Sequence, residues 1–98
     1  MIKMMLCCDL KTMKCTPEDI DQELSTFAIS FVRVNDAIWL FKYPSGFDGS
    51  FLRPEEHLFY DHFEKFTEKE SSIILVELDP RKLYYNLPEP VHKLLIED

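Results

Sequence analysis

Hydrophobic residues along this chain fall into strand-sized and helix-sized blocks in regular alternation. Ile2-Lys3-Met4-Met5-Leu6-Cys7-Cys8 is mostly apolar and stops at Asp9, as expected of a buried strand that presents a carboxylate at its end. Residues 10–15 form a short polar loop. Thr16-Pro17-Glu18-Asp19 then starts a helix, with Thr16 able to cap, Pro17 at the first helical position and Asp19 closing a capping box. Ile20, Leu24 and Phe27 recur at i, i+4 and i+7 and give this helix one apolar face, with Asp19, Asp21, Gln22 and Glu23 toward water.

Two β-type runs follow, residues 28–34 and 37–43, separated by Asn35-Asp36, which suits a two-residue hairpin. Ile29, Phe31, Ile38, Trp39, Leu40 and Phe41 make both good strands. Residues 44–53 hold both glycines, Gly46 and Gly49, and are the longest loop. Pro54-Glu55-Glu56 opens a second helix reaching about Lys69, with Phe59, Phe63 and Phe66 at i, i+4 and i+7. Ser71-Ser72 ends it, Ile73 to Leu78 is the clearest strand, and Asp79-Pro80 closes that strand. Leu83-Tyr84-Tyr85 suits a short extended piece. Residues 88–96, with Val91, Leu94 and Leu95, read as a short terminal helix.

The order β-α-β-β-α-β plus a tail predicts an α+β fold, the ferredoxin-like plan, with a four-stranded antiparallel sheet and a short C-terminal helix. In that plan the first and third strands are central, the helices cover one sheet face and the other is left open. Residues 1–98 read as one domain, in which the tail, 80–98, packs on the sheet or on a dimer partner. An open face bearing Trp39 needs a cover, from the tail or from a second copy, and a homodimer is the economical one.

Composition narrows the options. Eight Phe, four Tyr and one Trp supply a core, and the two glycines argue against a loop-rich β protein or a disordered chain. The apolar stretches fall well short of the roughly 20 residues of a membrane span. No secretory signal pattern is visible, which makes the cytoplasm the expected location. The formal charge of −7 comes from 18 acids against 11 bases. Its scattered Lys and Arg disfavour nucleic-acid binding by the whole surface. Cys7, Cys8 and Cys15 read as reduced thiols, because adjacent cysteines on a strand point to opposite faces and cannot easily share one tetrahedral site.

A first strand ending in an acid (MLCCDL), a hairpin with Trp in its second strand (VNDAIWLF), and a last strand running into an acid (SIILVELDP) resemble the SinR-like proteins. These are relatives of the small CRISPR-associated adaptation nuclease and of virulence-associated protein D. The tail YYNLPEPVHKLL is similar to the proline-then-amphipathic ending of SinR-like chains. The resemblance implies a dimer in which the first-strand acid of each subunit holds a divalent metal for RNA or DNA cleavage. Asp9 alone carries over. The acidity of this chain and its short first helix depart from that group.

Asp9 is therefore the candidate catalytic and metal-binding residue, with Mg²⁺ as the cofactor if the protein is a nuclease. The competing reading is a turn cap in the loop before Thr16. His57, Asp61 and Glu64 at i, i+4 and i+7 form a second ligand-like stripe, whose simpler reading is a solvated face with an i, i+4 pair. His62 lies off that stripe, and His92 is isolated in the tail. No Gly-rich phosphate loop, CxxC, HExxH or GxSxG is present. Phe59, Tyr60, Phe63, Phe66 and Trp39 suit a core better than a base-stacking platform. Tyr84 and Tyr85 beside Arg81 and Lys82 suit a peptide or dimer contact. With Trp39 they are the candidate interaction residues.

The leading expectation is a small acidic homodimer without a cofactor that acts by binding an unknown protein partner. That suits a regulator or inhibitor related to defence, of the kind phages and mobile elements encode. The alternatives are a metal-dependent endonuclease using paired Asp9 and a toxin–antitoxin component. Nucleic acid is a partner only under the nuclease alternative, and no membrane is involved.

Overall fold

A computed structural model describes residues 1–44 and 53–97; the expected loop with Gly46 and Gly49 lies almost wholly outside them. The chain forms an α+β structure on a four-stranded antiparallel sheet with strands β1 (Ile2–Cys8), β2 (Ser30–Asn35), β3 (Ile38–Tyr43) and β4 (Ile73–Glu77). Their order is β2-β3-β1-β4, so β3 and β1 are central. Helix α1 (Pro17–Phe27) lies between β1 and β2. Helix α2 (Pro54–Leu58) lies between β3 and β4 and continues into a π turn (Phe59–Phe63) and a 3₁₀ turn (Glu64–Phe66). Helix α3 (Glu89–Ile96) ends the chain. No helix among the described residues is long and apolar enough to cross a membrane.

Local chemistry explains the boundaries. The Thr16 hydroxyl accepts the Asp19 N–H at 3.2 Å while the Asp19 carboxylate accepts the Thr16 N–H at 2.9 Å, a reciprocal capping box ahead of Pro17. The hairpin turns one residue later than expected, at Asp36-Ala37. Asn35 stays in β2 and its side-chain oxygen accepts the Ala37 N–H at 2.8 Å, an Asx turn that substitutes for the missing glycine. The ladder slips between Arg33 and Asn35 to accommodate it. The second helix stops at Phe66, short of the expected Lys69.

Both sheet faces are packed. On one, Met4, Leu6 and Cys8 of β1 and Trp39, Phe41 and Tyr43 of β3 meet Ile20 and Leu24 of α1, Leu58 of α2 and Phe63. On the other, Leu40 meets Val91, Leu94 and Leu95 of α3, with Met5, Val32, Val34, Leu78, Tyr85 and Leu87 half-buried around them. This corrects the expected position of Trp39, and of the two expected covers, tail or second copy, the tail is the one present. Trp39 does not sit on an open face but is fully buried beneath α1, and the face opposite is covered by the chain's own tail. The physical reason is alternation along β3: Leu40, one residue further on, points the other way. The cover for which a second copy was invoked is thus present in a single chain.

Polar groups drawn in with β3 find partners. The Trp39 indole Nε1 donates to Asp21 at 2.8 Å, and Arg33 of β2 holds the other Asp21 oxygen at 2.6 Å. Asp21 therefore faces the sheet rather than water, because a buried indole N–H requires an acceptor. Lys42, on the opposite face, donates its ammonium to the Glu97 carbonyl that ends α3, a favourable position for a cation at a helix C-terminus.

Because α3 is held by Leu95 and its neighbours, Leu95→Ala is expected to lower stability by about 2–5 kcal/mol in urea unfolding. The exposed Ile96→Ala should stay within about 0.5 kcal/mol. Equal small effects would mean that α3 does not pack on the sheet.

Candidate functional site

The ends of β1, β3 and β4 near Asp9 open onto a shallow hollow of about 870 Å³, lined by Cys7, Ile38 and Ile74 among others, with Asp9, Lys11 and Asp36 also lining it. Cys7 pairs with Ile38 on one side and with Ile74 on the other, so the three form one row across the sheet. They share the face of Met5 and Leu40 but lie beyond the cluster that α3 covers. Ile74 is 63% exposed.

Asp9 occupies the rim as a working part of its loop. Its N–H donates to the Ser72 carbonyl at 3.0 Å and its carbonyl accepts from the Thr12 N–H at 2.9 Å and from the Thr12 hydroxyl at 2.7 Å. Its carboxylate accepts the Lys11 N–H at 3.1 Å and caps a single 3₁₀ turn, Leu10–Thr12. The Thr12 hydroxyl in turn accepts the Ser72 N–H at 2.9 Å, which ties the loop to the start of β4. Asp9 itself is exposed. Among the described residues no group of three His, Cys, Asp or Glu side chains is arranged to hold a metal ion.

The three cysteines are free and all lie near this end of the sheet. Burial pushes the Cys8 thiol up to about 11, with the Cys15 and Cys7 thiols and Asp9 adding to the effect. Burial also raises Cys7 and Cys15. None is held as a thiolate, so none is an activated nucleophile.

The stripe on the second helix comes apart. His57 pairs with Asp61 at 2.7 Å, but the π turn at Phe59–Phe63 inserts an extra residue per turn and Glu64 falls in the following 3₁₀ turn. The same change of register directs His62 to α1. Its Nδ1 lies 2.8 Å from Glu23, whose other oxygen receives Lys65 at 2.5 Å, and its ring stacks on Phe27 at 3.9 Å. Sequence reasoning missed this cluster and placed Glu23 in water, whereas the Glu23 side chain is 12% exposed. Desolvation raises its carboxyl, but the hydrogen bonds from Lys65 and His62 outweigh that and hold it below the usual Glu value.

In the tail, Arg81 grips Asp79 through two bonds of 3.0 Å, which lowers the Asp79 carboxyl to about 2. Tyr84 is 97% exposed and Lys82 is also exposed. Tyr85 is half-buried in the second core and its hydroxyl meets His92 Nδ1 at 3.0 Å. The five residues singled out for interaction therefore do not form one surface: Trp39 is internal, and Tyr85 helps to seat the tail.

No protein-family model matches the chain, and no curated protein or solved structure is significantly similar to it.

Two outcomes follow. If Asp9 acts as a cap, Asp9→Ala should cost about 1 kcal/mol in urea unfolding and Asp9→Asn only a few tenths, since Asn caps as well as Asp. Equal losses would remove the capping role. For Glu23, the folded value lies below the unfolded one, so its stabilisation is present above the ordinary Glu range near pH 4.3 and is lost as pH falls through the lowered folded value. Glu23→Gln should therefore reduce stability at pH 7 by roughly 1–3 kcal/mol, and the deficit should shrink on acidification. A deficit independent of pH would exclude this linkage.

Proposed function

We propose that this chain is a non-catalytic protein-binding module of ferredoxin-like topology that regulates or inhibits a partner protein. The sheet order β2-β3-β1-β4, with a helix between β1 and β2 and another between β3 and β4, supports the topology. The binding reading rests on one observation: the apolar row Cys7, Ile38, Ile74 lines an open hollow beside Asp9 and Asp36, while Leu40 and Met5 of the same face pack against α3. Apolar surface of this kind is a common mark of partner binding. A net charge of −7 favours a partner with complementary basic groups. A homodimer is not required by this reading, because α3 already supplies the cover.

The nuclease alternative retains one point in its favour, since Asp9 lines the hollow at the end of a central strand. A cleavage assay on RNA and DNA with Mg²⁺ or Mn²⁺ separates the two. The expected result is no cleavage above buffer by wild type or Asp9→Asn, and retention from the native host of a stoichiometric protein partner that Ile74→Lys releases. Metal-stimulated cleavage that Asp9→Asn abolishes in a folded protein would replace this proposal with the nuclease.

A further inference from the structure

The two edges of the sheet are unlike. At the β2 edge the register slips between Arg33 and Asn35, and Arg33 spans Asp21 and Asp36 at 2.6 and 3.0 Å. A bulge and a charge are the usual means of preventing an edge from pairing. The β4 edge has no bulge, and its only charge, Glu77, stands at its last position. Its sequence IILVE is apolar up to Glu77, and no residue of it is fully buried.

The bonding parity of β4 follows from its ends. The Ser72 carbonyl accepts from Asp9 and the Leu78 N–H donates to Lys3, so residues 72 and 78 bond toward β1. In an antiparallel ladder alternate residues share that direction. Ile74 and Val76 therefore bond inward, and the N–H and C=O groups of Ile73, Leu75 and Glu77 point outward. Among the described residues no backbone or side-chain hydrogen bond meets these outward groups.

Apolar hollows flank this edge on both faces. One is the row Cys7, Ile38, Ile74 described above. The other, about 250 Å³, lies beside α2 and is lined by Phe59, Tyr60, Ile73 and Leu75 and by Glu55 and Glu56. Tyr60 is 57% exposed. An added strand would send successive side chains alternately into these two hollows, which is how extended peptides are read at sheet edges.

The geometry points to β4 as a docking edge for an extended segment of a different protein, with alternating apolar residues and Lys or Arg near its ends. This rests on the protein-binding reading above and specifies its mode. Charge selects the occupant. Glu55, Glu56, Glu77 and Asp9 surround the edge, with Lys11 as a rim cation and Glu56 paired to Arg53 at 2.8 Å. A second copy would bring another net −7 and another Glu77 to the same seam, whereas a basic segment complements it.

The probe is an eight-residue peptide alternating Val and Thr with two Lys at each end, titrated to millimolar concentration and followed by amide hydrogen exchange. The peptide should slow exchange at Ile73, Leu75 and Glu77 by at least about tenfold, and the same peptide with Glu for Lys should not. Glu77→Pro removes one outward donor without touching the bonds to β1 and should weaken the effect, while Glu77→Lys should reduce the preference for the Lys peptide. Absence of protection on β4 overturns the docking edge. If the peptide instead perturbs only Cys7 and Ile38, the binding reading survives and the edge mode falls. Protection that rises with protein concentration alone assigns the edge to a second copy and overturns the proposed occupant.

Discussion

Strand β3 is buried on both faces, and the layering of the molecule follows from that. Trp39, Phe41 and Tyr43 belong to one core and Leu40 to the other. An antiparallel sheet usually keeps one face wet; an apolar strand at its centre removes that option. The two crossovers place α1 and α2 on one side, so the second cover must come from elsewhere, and the tail provides it as α3. Burial on both sides also imports polar atoms that need partners. Asp21 serves the Trp39 indole and Arg33 balances the Asp21 charge, while the end of α3 serves the Lys42 ammonium. Each of these bonds ties a covering helix to the sheet, so the same contacts that satisfy β3 also fix its cover.

What could be read from the sequence was what local chemistry decides. The Thr16 capping box, the apolar stripe Ile20-Leu24 and the strand starting at Ile73 are set within a few residues, and all appear in the structure, the strand ending at Glu77 rather than at the expected Leu78. The assignment of Trp39 to a face was not legible. Residues 37–41 are apolar at every position, so only Lys42 interrupts the run and there is little alternation to say which parity meets which layer. Asp21 and Glu23 were placed in water because helical periodicity describes apolar residues. Their partners, Trp39 and His62, are 18 and 39 residues away. The π turn was hidden for a similar reason, since Phe59, Phe63 and Phe66 satisfy an ordinary helical repeat.

Asp9 stood out because a carboxylate ends an apolar strand, and the structure gives that position a structural task. Its carboxylate and main chain together hold the loop to Ser72 and Thr12. The hydrogen bonds that orient Asp9 also set the start of β4, since the Ser72 carbonyl that receives the Asp9 N–H is the residue before Ile73. The acid therefore helps to place the edge strand whether or not it contacts a ligand.

The open row beside Asp9 is a consequence of length. An eight-residue helix such as α3 extends about 12 Å, while a seven-residue strand such as β1 extends about 23 Å. A helix of that size can shield the rows holding Met5 and Leu40 but not the next one. Cys7, Ile38 and Ile74 are left out, at the end of the sheet where Asp9 and Asp36 also emerge. Apolar floor and acidic rim thus coincide because the covering helix is short and the strand termini beyond it are acidic. The edge strand that borders this gap is the one without a bulge to protect it, so the weakest cover and the most available backbone occur side by side.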